Sequence, residues 1–172
     1  METVFFNGTE CHTAGALPAV GAKAPEFELS GADLSPVTLA AYKGRRVVLN
    51  IFPSLDTPVC AASVRRFNAE AAKRKDATVI CVSMDLPFAM SRFCTANDIE
   101  NVVVASAFRS PSFVKGYGVE LVDGPLKGLL ARTVIIIDTD GHIIYRDLVE
   151  NITEEPRYRC LLYTSPSPRD VE

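Results

Sequence analysis

The chain has 172 residues, 48% hydrophobic and 23% charged, enough for one domain to bury a full core. Its formal net charge of -3 gives no electrostatic reason to expect nucleic acid or an anionic membrane as partner. No apolar run approaches the roughly 18 residues of a spanning helix, and Met1–Phe6 lacks the basic and apolar regions of a leader, so a cytoplasmic protein is expected.

Thr3-Val4-Phe5-Phe6, Asn7-Gly8 and Glu10-Cys11-His12 read as an N-terminal β-hairpin around an Asn-Gly turn. A loop rich in Gly, Ala and Pro follows, with Phe27-Glu28-Leu29 as a short extended segment. Val47–Phe52 reads as a buried strand, Pro53–Asp56 as the turn after it, and Pro58 to Lys75 as a helix, because proline suits a first helical turn and the residues beyond it are good helix formers. Thr78–Met84 is apolar and rich in β-branched residues, as a buried parallel strand requires. Pro87 opens a second helix, Phe88 to Asn97; Val102–Val104 is a third buried strand and Ser112–Tyr117 a short helix. Thr133–Asp138 and His142–Tyr145 form a closing hairpin around Thr139-Asp140-Gly141. The alternation predicts an α/β fold with a mixed central sheet flanked by helices, spanning residues 1–158. Pro166 and Pro168 bar a helix from the segment 159–172, which is expected to be an atypical tail, disordered or foreign to the fold.

Five cysteines without an export signal point to reduced thiols rather than a disulfide scaffold. They lie far apart and the only histidines are His12 and His142, so neither a metal nor another cofactor is expected. Cys60 is the informative one, because it falls in the first turn of a helix that follows a buried strand. Unpaired N–H groups and the helix dipole favour a thiolate there. A free thiol is only a few per cent ionised at pH 7, and lowering its pKa by about two units takes roughly 2.7 kcal/mol. A helix N-terminus supplies about 0.3–1 kcal/mol, so hydrogen bonds and a cation must add the rest. Thr57 occupies the position where a Cys-x-x-Cys motif would have its first cysteine; its hydroxyl is placed to donate to Cys60, and no short local disulfide is possible. Arg66 is six residues on, about 9 Å up the helix and over 100° around it, which rules it out as the cation. Arg132 is better placed than an ordinary surface arginine, since it precedes a strand that the hairpin logic makes antiparallel to its neighbours and so begins where the parallel strands end.

Cys94, inside the second predicted helix, reads by itself as a buried helix cysteine. Cys81 reads as core, and Cys11, Cys160, His12 and His142 call for no role. Cys60 to Arg66 also matches the Cys-x5-Arg spacing of a phosphatase loop, but such a loop wraps phosphate with backbone N–H groups, and Ala61–Arg65 contains no glycine and reads as helix. A Cys–His hydrolase lacks a suitably placed histidine.

The string Pro53-x-x-x-Thr57-x-x-Cys60 resembles the active-site signature of peroxiredoxins. Asn50 through Arg65 as a whole is similar to the bacterial thiol peroxidases, a two-cysteine subfamily. So are Asp85-Leu86-Pro87-Phe88-Ala89, Arg92-Phe93-Cys94, Tyr117-Gly118-Val119, Gly124–Leu129 and Ala131-Arg132. The resemblance implies a thioredoxin-like fold and a peroxidase for alkyl hydroperoxides and hydrogen peroxide. It implies that Cys60 attacks the peroxide, that Thr57 and Arg132 polarise it and stabilise the thiolate, and that Pro53 shields the pocket. It further implies that Cys94 resolves the Cys60 sulfenic acid as an intramolecular disulfide, that thioredoxin reduces this disulfide, and that the protein is a homodimer. Because a disulfide needs Cα atoms within about 7 Å, both helix starts are expected to rearrange during turnover. The non-enzymatic alternative is a peroxide sensor that relays oxidation from Cys60 to a partner protein.

Overall fold

The computed structural model describes residues 1–158; the expected tail and Cys160 lie outside the described residues. Asn7 and Gly8 both adopt positive φ, 50° and 82°, the conformation a two-residue type I′ turn demands. They join β1 (Thr3–Phe6) to β2 (Thr9–His12) as the expected separate hairpin. β3 (Glu28–Gly31) pairs antiparallel with β4 (Pro36–Thr38), an edge strand of three residues whose opening proline has no N–H to leave unpaired. A single 3-10 turn, Ala40–Tyr42, leads into β5 (Arg46–Ile51). Then follow α1 (Pro58–Ala71), β6 (Ala77–Ser83), α2 (Pro87–Ala96), β7 (Val103–Ser106), α3 (Pro111–Tyr117), β8 (Thr133–Ile137) and β9 (Ile143–Leu148).

All three α-helices among the described residues begin on a proline, at the position where its missing N–H costs nothing. α1 stops at Ala71 rather than Lys75. Lys73 N–H and Arg74 N–H donate three residues back, to Glu70 O and Ala71 O, so the chain tightens and leaves the helix ahead of its run of three basic residues.

The main sheet has the order β4-β3-β7-β6-β5-β8-β9. β5, β6 and β7 are parallel, while β3 and β8 run antiparallel to them, giving the expected mixed sheet. Side chains alternate across it with period two, and both faces are apolar. Val47, Leu49 and Ile51 join Phe27, Phe113, Tyr117 and Ile135 on the side of α3. Val48, Phe52, Val79, Cys81 and Val134 join Val64 and Phe67 of α1 and Met90 of α2 on the other. The switch from parallel to antiparallel pairing at β8 positions the site: Thr133 is opposite Ile51, so the residue entering β8 meets the chain leaving β5.

Candidate active site

After β5 the chain keeps one more sheet bond, Phe52 N–H to Val82 O at 3.0 Å, and turns at Pro53–Asp56. Thr57 is extended (φ -102°, ψ 142°) and caps α1, whose third residue is Cys60. Cys60 is fully buried, as is Arg132 apart from 2% of its surface. The Arg132 guanidinium donates from Nη2 to Cys60 Sγ at 3.2 Å and from Nε to the Ile152 carbonyl at 2.8 Å. Its Nη1 is buried and has no hydrogen-bond partner among the described residues. The fork is thus fixed at two of its three corners. Arg66, set aside on geometric grounds, stacks on Tyr158, its guanidinium carbon 4.3 Å from the ring centroid.

Thr57 differs from expectation. Its Oγ1 donates to Ser54 O at 2.9 Å, and its own N–H reaches the same carbonyl at 3.2 Å. A hydroxyl has one hydrogen, so here it closes the turn and offers lone pairs rather than a donor to its surroundings. Pro53, Thr57, Pro58, Val59 and Arg132 line an open cavity of about 260 Å³, with Phe6, Leu126, Leu129 and Ile152 contributed from distant parts of the chain. The cavity is therefore an apolar slot with one guanidinium in its wall.

Cys94, the eighth residue of α2, is half-buried; it packs against the edge of the apolar cluster that contains Cys60 and Cys81. No disulfide joins any of the described cysteines. Burial pushes the Cys94 thiol above its ordinary pKa. Burial pushes Cys81 much further, to about 12, against a lowering from the Asn50 amide 3.7 Å away. Cys81 is thus the least nucleophilic environment of the two, consistent with a core role. Cys11 is buried beside Gly124, where a Cβ would come within 2.7 Å of its Sγ.

His12 does have partners. Its Nδ1 lies 2.6 Å from Asp123 Oδ2 and its Nε2 2.9 Å from Glu10 Oε2, which ties β2 to the loop carrying Leu126 and Leu129. Asp123 raises the imidazole pKa and is itself held below the usual carboxylate range by that bond. Asp85, which opens the thiol-peroxidase-like segment Asp85–Ala89 but was given no role of its own, has a carboxylate that accepts from Ser54, Leu55 and Ser83. Among the described residues no group of three or more His, Cys, Asp or Glu side chains is placed to hold a metal ion, and no helix is long and apolar enough to cross a membrane.

Residues 19–162, which carry the strand-to-helix cysteine and its buried arginine, match the redoxin family model. The chain belongs to that family and, within it, groups with the bacterial thiol peroxidases. The thiol peroxidases of Mycobacterium tuberculosis and Mycobacterium bovis are 51% identical to it over 162 residues, 94% of this chain and 97% of theirs. A peroxiredoxin-like protein from Aquifex aeolicus superposes with a TM-score of 0.90 at 42% identity, over 94% of this chain and 95% of that one. A thiol peroxidase from Chromobacterium violaceum shares the fold, with a TM-score of 0.82 at 19% identity over 89% of each chain.

Proposed function

We propose that the protein is a thiol-dependent peroxidase in which Cys60 reduces hydroperoxides. The observation that carries the reading is the Arg132 guanidinium, buried and bonded to Cys60 Sγ, on a residue that also lines an apolar cavity. The Cys60 thiolate attacks the distal peroxide oxygen; the S–O bond forms as the O–O bond breaks, and the departing alkoxide takes a proton to leave as alcohol, or as water from hydrogen peroxide. Arg132 stabilises the thiolate before attack and the charge on the oxygens during it. Pro53 excludes water, and Thr57 holds the turn and presents its oxygen lone pairs to the peroxide proton. The apolar lining favours alkyl hydroperoxides over hydrogen peroxide.

Cys94 then attacks the Cys60 sulfenic acid, forming a disulfide and releasing water. A thioredoxin-type dithiol restores both thiols by exchange, which requires a reducing compartment such as the cytoplasm. In this reading the working unit is a homodimer. The test is NADPH consumption with thioredoxin and thioredoxin reductase in the presence of cumene hydroperoxide. Sustained turnover that Cys60→Ser abolishes supports the peroxidase; a single stoichiometric oxidation without turnover supports the peroxide sensor instead.

A further inference from the structure

Asp85 lies where the chain leaves β6, two residues before the Pro87 that opens α2. Its Oδ1 accepts from Ser54 Oγ at 2.7 Å, and its Oδ2 accepts from the Leu55 backbone N–H at 2.8 Å and from Ser83 Oγ at 2.6 Å. Its own backbone is fixed as well: the N–H donates to Ser83 Oγ and the carbonyl accepts from Ser106 Oγ. Ser54 and Leu55 belong to the turn that delivers Cys60, while Asp85 stands on the segment that delivers Cys94. One carboxylate therefore bonds the approach to one thiol to the approach to the other. Within that turn, Thr57 N–H and Oγ1 donate to Ser54 O and Asp56 N–H donates to Ser54 Oγ.

This matters because the peroxidase reading requires the two thiols to join, and in the structure both are free. Cys60 is buried against Arg132 in the first turn of α1, and Cys94 sits two turns into α2. A disulfide requires their Cα atoms within about 7 Å. The geometry points to Asp85 as a positioning residue that latches the Cys60 turn, setting the balance between the closed arrangement, in which Cys60 meets peroxide, and an open one, in which its sulfenic acid reaches Cys94. The inference rests on the peroxidase reading above and adds to it the control of one branch point. At that branch the sulfenic acid either condenses with the Cys94 thiol, giving the disulfide and water, or is oxidised by a second hydroperoxide to sulfinic acid, giving one alcohol. A weaker latch favours the first course.

The experiment uses the full chain with increasing cumene hydroperoxide in the presence of the thioredoxin system. Mass spectrometry quantifies sulfinic acid at Cys60, and rapid quench gives the rate of the first oxidation. Asp85→Ala removes all three acceptor contacts. It should raise the peroxide dose for half-conversion to sulfinic acid by roughly tenfold, the scale expected for lost charge-assisted bonds, while slowing the first oxidation. Asp85→Asn and Ser54→Ala, which weaken the latch without emptying the site, should shift both quantities in the same directions by about threefold. Damage that only slows attack on peroxide would raise the dose too, so rapid quench must also show the Cys60–Cys94 disulfide forming faster in the variants, which such damage would not produce. A half-conversion dose that is unchanged or lower in Asp85→Asn and Ser54→Ala overturns the latch, whether or not Asp85→Ala folds. If Cys60 of the wild type stays unoxidised, the peroxidase reading itself fails, an outcome distinct from a Cys60 that oxidises with the same half-conversion dose in every variant.

Discussion

Replacing Arg132 by methionine keeps the buried volume and removes the charge and all three donor positions. At the observed 3.2 Å, a unit-charge pair attracts by about 5 kcal/mol at an effective dielectric constant of about 20, before desolvation is subtracted. A hydrogen bond to a charged group nets about 1.5–3 kcal/mol after that subtraction. At about 1.4 kcal/mol per tenfold, the substitution should slow the oxidation of Cys60 by roughly 10- to 150-fold, and further if Nη1 also binds the peroxide. The chain contains no tryptophan, so the rate is best followed by rapid quench, alkylation and mass spectrometry rather than by intrinsic fluorescence. Arg132→Lys should recover only part of the loss, because an ammonium cannot span Cys60 Sγ and the Ile152 carbonyl as the planar fork does. Oxidation by a folded Arg132→Met protein within threefold of the wild-type rate would refute the electrostatic role given to this residue.

Cys81→Ala should leave thioredoxin-supported turnover nearly intact, whereas Cys94→Ala should abolish it while preserving the first oxidation; the NADPH assay and a single-turnover quench distinguish the two. Leu126→Ser puts a hydroxyl into the apolar cavity wall and should raise KM for cumene hydroperoxide about fivefold or more, with a smaller change for hydrogen peroxide. His12 has a folded-state pKa raised by Asp123, so its ion pairs stabilise the protein fully below an unfolded pKa of about 6.5, and that contribution is lost as pH rises through the folded value. The lowered Asp123 sets the acid limit, its share disappearing as pH falls through its own folded value. His12→Gln should therefore lower Tm at pH 6 and approach the wild type at pH 9; an equal difference at both values would contradict the assignment.

The interior strands were legible because β5 and β6 carry apolar residues on both faces, and the first two helices because each opens on a proline; the third was read from Ser112, one residue past the Pro111 that opens it. β4 was not legible: three residues beginning with proline provide too little periodicity to stand out from a loop. Arg132 could be placed from sequence because strand direction fixes which sheet edge its strand starts from, and the register of Thr133 with Ile51 delivers that edge. The Thr57 hydroxyl was assigned to the wrong acceptor because a turn supplies its own, the Ser54 carbonyl, and such local competition does not show in spacing. Asp85 and the cavity wall share a different obstacle. Ser54, Ser83 and Asp85, like Phe6, Leu126 and Ile152, meet only through the folded chain, with no period or motif linking them.

Disulfide mapping by mass spectrometry, after one equivalent of hydroperoxide is added to the reduced protein, tests the central claim most directly. The account predicts a single intramolecular link between Cys60 and Cys94. A link from Cys60 to another cysteine would contradict the role given to Cys94, and a Cys60 that emerges unoxidised would contradict the peroxidase itself.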